Sequence, residues 1–139
     1  MGPVKKSILV VDDDSDLRRG LVLLLGKDYE IREACDGPSC LRALAESSPQ
    51  LILLDVAMPG MTGIEVLRSA RAGGNCTPVL MLTAQADLEL ARQALDLGAN
   101  AYITKPFDFG QLHGEVKRLL DGPSREEKDH EYRPWRVTP

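Results

Sequence analysis

No apolar run in these 139 residues approaches the roughly 18 that a membrane span needs. The N-terminal stretch does not read as a secretory signal either, because Lys5 and Lys6 precede only a short apolar run that ends in three aspartates. The chain therefore reads as cytoplasmic and free of the membrane. Positive charge is in deficit, with 17 Lys and Arg against 21 Asp and Glu and a net charge of -4. That balance argues against non-specific nucleic-acid binding by the chain as a whole. Only three cysteines occur, Cys35, Cys40 and Cys76, odd in number and without metal-type spacing. They read as small, half-buried residues of a reducing compartment. The two histidines, His113 and His130, show no partner pattern and are not assigned to catalysis. Nor does a Gly-rich, phosphate-cradling loop follow the first apolar run, where Asp12, Asp13 and Asp14 stand instead; this argues against a flavin-type cofactor binder.

What is present is alternation. Strands are expected over about 7–11, 29–34, 51–54, 79–82 and 101–104. Between and after them, helices begin near 15, 38, 63, 87 and 109. The first helix carries Leu17, Leu21, Leu24 and Leu25 on one face, and the last carries Phe109, Leu112, Val116, Leu119 and Leu120. Asp14 or Ser15 caps the first helix. The third strand, Leu51 to Leu54, is apolar on both faces, as a central parallel strand should be. The pattern predicts an α/β fold, a doubly wound (βα)5 sandwich of the flavodoxin-like type. Its five-stranded parallel sheet takes the order 2-1-3-4-5.

Four of these strands end in residues suited to phosphoryl chemistry: Asp12 with Asp13, then Asp55, Thr83 and Lys105. A parallel sheet gathers its strand C-termini along one edge, and ligands bind there, at the switch point between strands 1 and 3. Clustered carboxylates are costly unless a cation neutralises them, and Mg2+ suits an all-oxygen site that also receives phosphate. A carboxylate can attack phosphorus, and the charge that develops calls for a metal, an ammonium and hydrogen-bond donors. Lys105 offers the ammonium and Thr83 the hydroxyl, while the small Ala84 leaves room for a phosphoryl group to enter.

These residues resemble the receiver domain of two-component response regulators. The resemblance rests on Ile8 to Asp13, Leu53 to Gly63, Leu82-Thr83-Ala84 and Tyr102 to Phe107. It covers 5–121, the expected receiver domain, and leaves 122–139 as a charged, proline-bearing tail or linker. Each motif alone is weak, but together, in order and each at a strand end, they are specific. The resemblance implies that Asp55 is the phosphoacceptor in a phosphorelay. Asp13, Asp55 and the backbone carbonyl of Ala57 would ligate Mg2+, with Asp12 completing the acidic pocket through water. Lys105 would pair with Asp55 or its phosphoryl group, and Lys105-Pro106 would be cis. Thr83 and Tyr102 would act as the switch, altering the face formed by helix 4, strand 5 and helix 5. Ala57 and Gln85 would flank the path of the hydrolytic water and tune the lifetime of the aspartyl phosphate.

A histidine kinase or histidine phosphotransfer protein would be the donor, and an output protein would read the altered face. The chain would be a monomer or a phosphorylation-dependent dimer. It would not turn over an external substrate, and no nucleic-acid contact is expected within it. Two rival readings stay in view. The chain is either a stand-alone regulator, the favoured reading, or the receiver of a longer transcription factor or output enzyme. Alternatively, Asp12 within Asp12-Asp13-Asp14 is the nucleophile of a phosphatase, which leaves Asp55 unexplained. Asp14 itself reads as a helix cap, Gly60 and Gly63 as turn residues, and Met58 and Met61 as packing near the loop. Trp135, in the tail, marks either a docking segment or a fold-back contact.

Overall fold

The computed structural model describes residues 4–121 and 137–138. The order is β1 (Ser7–Val11), α1 (Ser15–Leu25), β2 (Glu30–Ala34), α2 (Gly37–Glu46), β3 (Leu51–Asp55), α3 (Gly63–Ala72), β4 (Val79–Ala84), α4 (Leu88–Asp96), β5 (Ala101–Lys105), α5 (Phe109–Asp121) and β6 (Val137–Thr138). All strand pairings are parallel, in the order β2-β1-β3-β4-β5-β6. The five-strand order matches the expectation. The short sixth strand was not expected, since its two residues fall in the stretch read as tail. Trp135 and His130 lie outside the described residues.

Alternation along each strand divides the core in two. Leu9, Val11, Ile52, Leu54, Met81 and Tyr102 pack on one face with Cys40, Leu67, Ala91 and Ala94 of α2, α3 and α4. Ile8, Val10, Leu51, Leu53, Leu80 and Ile103 pack on the other with Leu21 and Leu25 of α1 and Leu112 and Val116 of α5. Strand β3 is buried along its whole length, because helices cover both faces. Burial also pushes the Cys40 thiol up to about 12, so this cysteine behaves as an apolar filler. Cys35 and Cys76 are exposed rather than half-buried.

Local chemistry fixes the helix starts. Asp14 caps α1, accepting from the N–H groups of Asp16 and Leu17. Asp36 and Ser39 form a reciprocal capping box on α2, with Pro38 in its first turn. Thr62 caps α3 through the N–H of Glu65. A 3-10 turn, Gln85–Asp87, precedes α4 and was not foreseen.

At the far end of the sheet from the strand C-termini, Arg71 ties two loops together. Its Nη1 donates to the carbonyls of Asn75 (3.0 Å) and Thr77 (2.9 Å), and its Nη2 to that of Gly98 (2.9 Å). A guanidinium is suited to this, since its rigid fork serves several acceptors at once. Arg71→Ala is expected to cost about 2 kcal/mol, because three carbonyls lose a charged donor. Urea unfolding at neutral pH would measure it, and a loss under about 0.5 kcal/mol would mean that water replaces the fork.

His113, read as partnerless, has neighbours. Its Nε2 lies 3.4 Å from Asp28 Oδ2, and its ring meets Tyr29 edge-on at 6.3 Å.

Candidate functional site

The switch point of the sheet gathers the predicted residues. Strand β1 delivers Asp12 and Asp13, and β3 delivers Asp55 one position past Leu54, which is registered with Val11. Carboxylate oxygens of Asp12, Asp13 and Asp55 all lie within 4.8 Å of one another. Asp12 is wholly buried, Asp55 nearly so, and Asp13 is exposed at the mouth.

Asp12 is already engaged through both oxygens. Its Oδ1 accepts the N–H of Asp14 at 2.9 Å, and its Oδ2 accepts Lys105 Nζ at 2.9 Å. Asp55 lies a little farther from the same ammonium, with Lys105 Nζ to Asp55 Oδ1 at 3.5 Å. That oxygen also accepts the backbone N–H of Ala57 at 3.3 Å. The expected pairing of Lys105 with Asp55 is thus present, but Asp12 has the shorter bond. The Lys105-Pro106 peptide is cis, as the resemblance implied.

The acids outnumber the cations, and this shows in their protonation. Burial, followed by the charge of Asp12, pushes the Asp55 carboxyl up from 3.8 to about 6, against the opposing pull of Lys105 and the Ala57 N–H. Burial works against the Lys105 ammonium as well. The hydrogen bond and charge of Asp12, with those of Asp55, outweigh it and hold Lys105 above the ordinary lysine value.

A stability consequence follows. Between pH 3.8 and about 6 the folded protein holds a proton on Asp55 that the unfolded chain releases. Folding stability therefore falls as pH rises through that window, and the deficit is complete above it. In chelator at pH 7.5, Asp55→Asn is expected to stabilise the fold by about 2 kcal/mol, a gain that fades as the pH drops to about 4. Denaturant titrations of both proteins across this range would check it. An equal difference at both ends would mean that packing, not charge, separates them.

The donor set suits a hard divalent cation. It consists of oxygen atoms from clustered carboxylates in a pocket with a surplus of negative charge. Asp13 and Asp55 have the capacity to ligate directly, whereas Asp12, committed on both oxygens, suits an outer position.

Thr83 is fully buried at the end of β4, registered with Thr104. Its hydroxyl lies 3.2 Å from the carbonyl of Ala84 and 3.3 Å from that of Asp87, both acceptors in the turn leading to α4. It is thus engaged with the start of α4 rather than with Asp55. Tyr102 is buried among the residues packed under α4. Ala57 and Gln85 are exposed. Met58 is buried, and Met61 packs against Gly37.

Two functional neighbours escaped the sequence reading. Arg18 of α1 donates through Nη1 to the backbone carbonyl of Asp12, while its Nε lies 3.2 Å from Glu33 Oε1. The available signal was a basic residue near a helix N-terminus, where the helix dipole disfavours it. The second is Gly63, read as a turn residue. Its φ is not positive, and the space for a Cβ is instead filled by the backbone of Asp55. Gly60 does serve the turn, at φ 77.

Comparison with known proteins points the same way. A family model described as the response regulator receiver domain matches residues 8–117. The chain is similar to the transcriptional regulatory protein PrrA of Mycobacterium tuberculosis, at 39% identity over 123 residues, covering 86% of this chain and 52% of PrrA. It is similar to the DNA-binding response regulator MtrA of the same organism, at 40% identity over 121 residues, covering 86% and 53%. The chain spans about half the length of these curated relatives. Among solved structures, the chemotaxis protein CheY4 of Vibrio cholerae superposes with TM-score 0.78 at 31% identity, covering 84% of this chain and all of that one. NtrX from Brucella abortus superposes with TM-score 0.80 at 30% identity, covering 91% of this chain and 29% of NtrX.

Proposed function

This chain belongs to the response regulator receiver domain family of two-component systems, and from that premise we propose that Asp55 is its phosphoacceptor. The observation that carries the proposal is the cluster itself, three carboxylates within 4.8 Å with Lys105 bridging Asp12 and Asp55. We take 5–121 as the receiver unit, with Val137–Thr138 of the following stretch joined to its sheet.

The donor is a phosphohistidine on a histidine kinase or phosphotransfer protein. An oxygen of the Asp55 carboxylate attacks phosphorus, the new O–P bond forms, and the P–N bond to imidazole breaks, its electron pair staying on the ring nitrogen. The Ala57 N–H orients the Asp55 carboxylate. Lys105 stays within ion-pairing reach of the acceptor and offsets charge growing on the phosphoryl oxygens. Asp13, Asp55 and the Ala57 carbonyl are the groups that would hold Mg2+, which would supply further positive charge for the phosphoryl oxygens. The Thr83 hydroxyl, once it leaves the turn carbonyls for the phosphoryl group, pulls on the start of α4. Tyr102, on the neighbouring strand and packed under α4, carries the change to the α4-β5-α5 face, where an output partner reads it. The chain assists its own phosphorylation and hydrolysis and turns over no separate substrate.

Among the described residues no helix is long and apolar enough to cross a membrane. The similarity to transcriptional regulators of about twice the length favours a second reading of the whole protein, in which this receiver controls an attached output domain.

Incubation with a small phosphodonor tests the proposal. With Mg2+ the intact mass is expected to rise by one phosphoryl group, and with excess chelator labelling should drop at least about tenfold, since developing charge loses its main stabiliser. Equal labelling in chelator would remove the metal from the mechanism.

A further inference from the structure

The two edges of the parallel sheet are guarded differently. Strand β2 ends the sheet on one side and carries Glu30, Arg32 and Glu33, all exposed. Charges of this kind keep an edge strand from pairing with another chain. Strand β5, reading Ala101-Tyr102-Ile103-Thr104-Lys105, has no such guard. Its single charge, Lys105, is committed to Asp12 and Asp55. This unguarded edge is the one that is filled, with Tyr102 registered against Val137 and Ile103 against Thr138 in the parallel strand β6.

The flank of α5 agrees. On one side of this helix His113 meets Tyr29, and the carbonyl of Leu120 accepts Lys6 Nζ at 2.9 Å, so that side adjoins α1, β1 and β2. Gln111, Glu115 and Arg118 recur at helical spacing on the opposite flank, beyond the core stripe of Leu112 and Val116, and therefore on the side of β5. Charged residues on the outer flank of a helix beside an edge strand are ordinarily solvated. Here Glu115 and Arg118 are only 5% and 9% exposed, paired at 2.7 and 3.1 Å. Burial on this scale belongs to a covered surface, and β6 is the strand on that side of the sheet.

We infer that the chain's own C-terminal segment, through Val137–Thr138, is an intramolecular partner of the β5 edge, added by strand pairing and competing for the α4-β5-α5 face. The occupant is this segment, not a second copy or a foreign peptide. The competition rests on the reading of that face as the output surface, whereas the strand pairing does not. Strand addition draws its affinity from main-chain hydrogen bonds, so two paired residues give a partner that a phosphorylation-driven change can displace. Linkage then works in both directions. If the segment favours the unphosphorylated arrangement, its loss makes Asp55 easier to modify.

The test is Val137→Pro with Thr138→Pro in the full chain, which removes every N–H that β6 could donate while leaving 4–121 untouched. Amide hydrogen exchange at Tyr102 and Thr104, the alternate β5 residues whose N–H groups face away from β4, is expected to quicken at least about tenfold in the variant, with Ile103, which faces β4, and Leu53 in β3 unchanged as fold controls. The half-saturating beryllofluoride concentration in Mg2+ should fall by about fivefold, at the lower end of ordinary coupling between sites. Unchanged exchange at Tyr102 and Thr104 would overturn the pairing. Quickened exchange with an unchanged beryllofluoride response would overturn the competition. If neither protein binds beryllofluoride while exchange still differs, the Asp55 assignment and the competition fall together and the strand pairing stands.

Discussion

Alanine at position 55 is expected to abolish phosphoryl acceptance outright. Among the described residues no other carboxylate combines the properties of Asp55, which is nearly buried, is oriented by the Ala57 N–H and lies 3.5 Å from an ammonium. Asp12 is closer to Lys105, but both its oxygens are spent on Lys105 and the Asp14 N–H. Asp13 is exposed. Labelling of Asp55→Ala by a small phosphodonor in Mg2+ should fall to background, a loss of at least about a thousandfold for removal of the nucleophile itself. Asp12→Asn separates the competing chemistry. Under the receiver reading it slows labelling and leaves the phosphoryl group on Asp55, which peptide mapping would locate. Under the phosphatase reading Asp12→Asn is the dead variant and Asp55→Ala stays active. Equal labelling of wild type and Asp55→Ala would remove Asp55 from the chemistry.

The second large effect is structural and falls on the same loop. Gly63→Ala is expected to destabilise the fold by about 3 kcal/mol, at the upper end of what overpacking usually costs. A Cβ at Gly63 would lie 2.2 Å from the carbonyl oxygen of Asp55 and 2.9 Å from the Cα of Val56. Both are backbone atoms and have no rotamer to yield. The Gly63 N–H donates to the Val56 carbonyl at 2.9 Å, which draws the start of α3 onto the end of β3. Relief would have to come from moving Asp55 or α3, so the variant should also label more slowly. Gly60→Ala is the matched control: it has open space around it and suffers only from φ 77, a cost of about 1 kcal/mol. Equal midpoints in urea for the two variants would mean that the Gly63 loop relaxes freely.

The fold was legible because its central strands are buried on both faces and so are written as unbroken apolar runs. The acids were legible because a parallel sheet sends the ends of β1 and β3 to one place. Strand ends were less so. Asp55, Thr83 with Ala84, and Lys105 belong to their strands, since a neighbouring backbone bonds a residue whatever its side chain. What escaped was set by partners distant in sequence. Arg18 owes its role to a carbonyl on β1 and to Glu33 on β2, and Gly63 owes its to the backbone it touches. Strand β6 escaped because two residues have no period to read, and the composition around them suggested a linker.

Lys105 gives the site one further property. Its half-buried ammonium is already shared between Asp12 and Asp55 before any phosphoryl group arrives. With Asp55 as the proposed phosphoacceptor, its modification would be for this lysine an exchange of one anion for another, not the capture of a new one. The electrostatic gain is then a difference between two comparable ion pairs and stays small beside either alone. Such a latch can be reset cheaply, which suits a signal meant to be erased as readily as it is written.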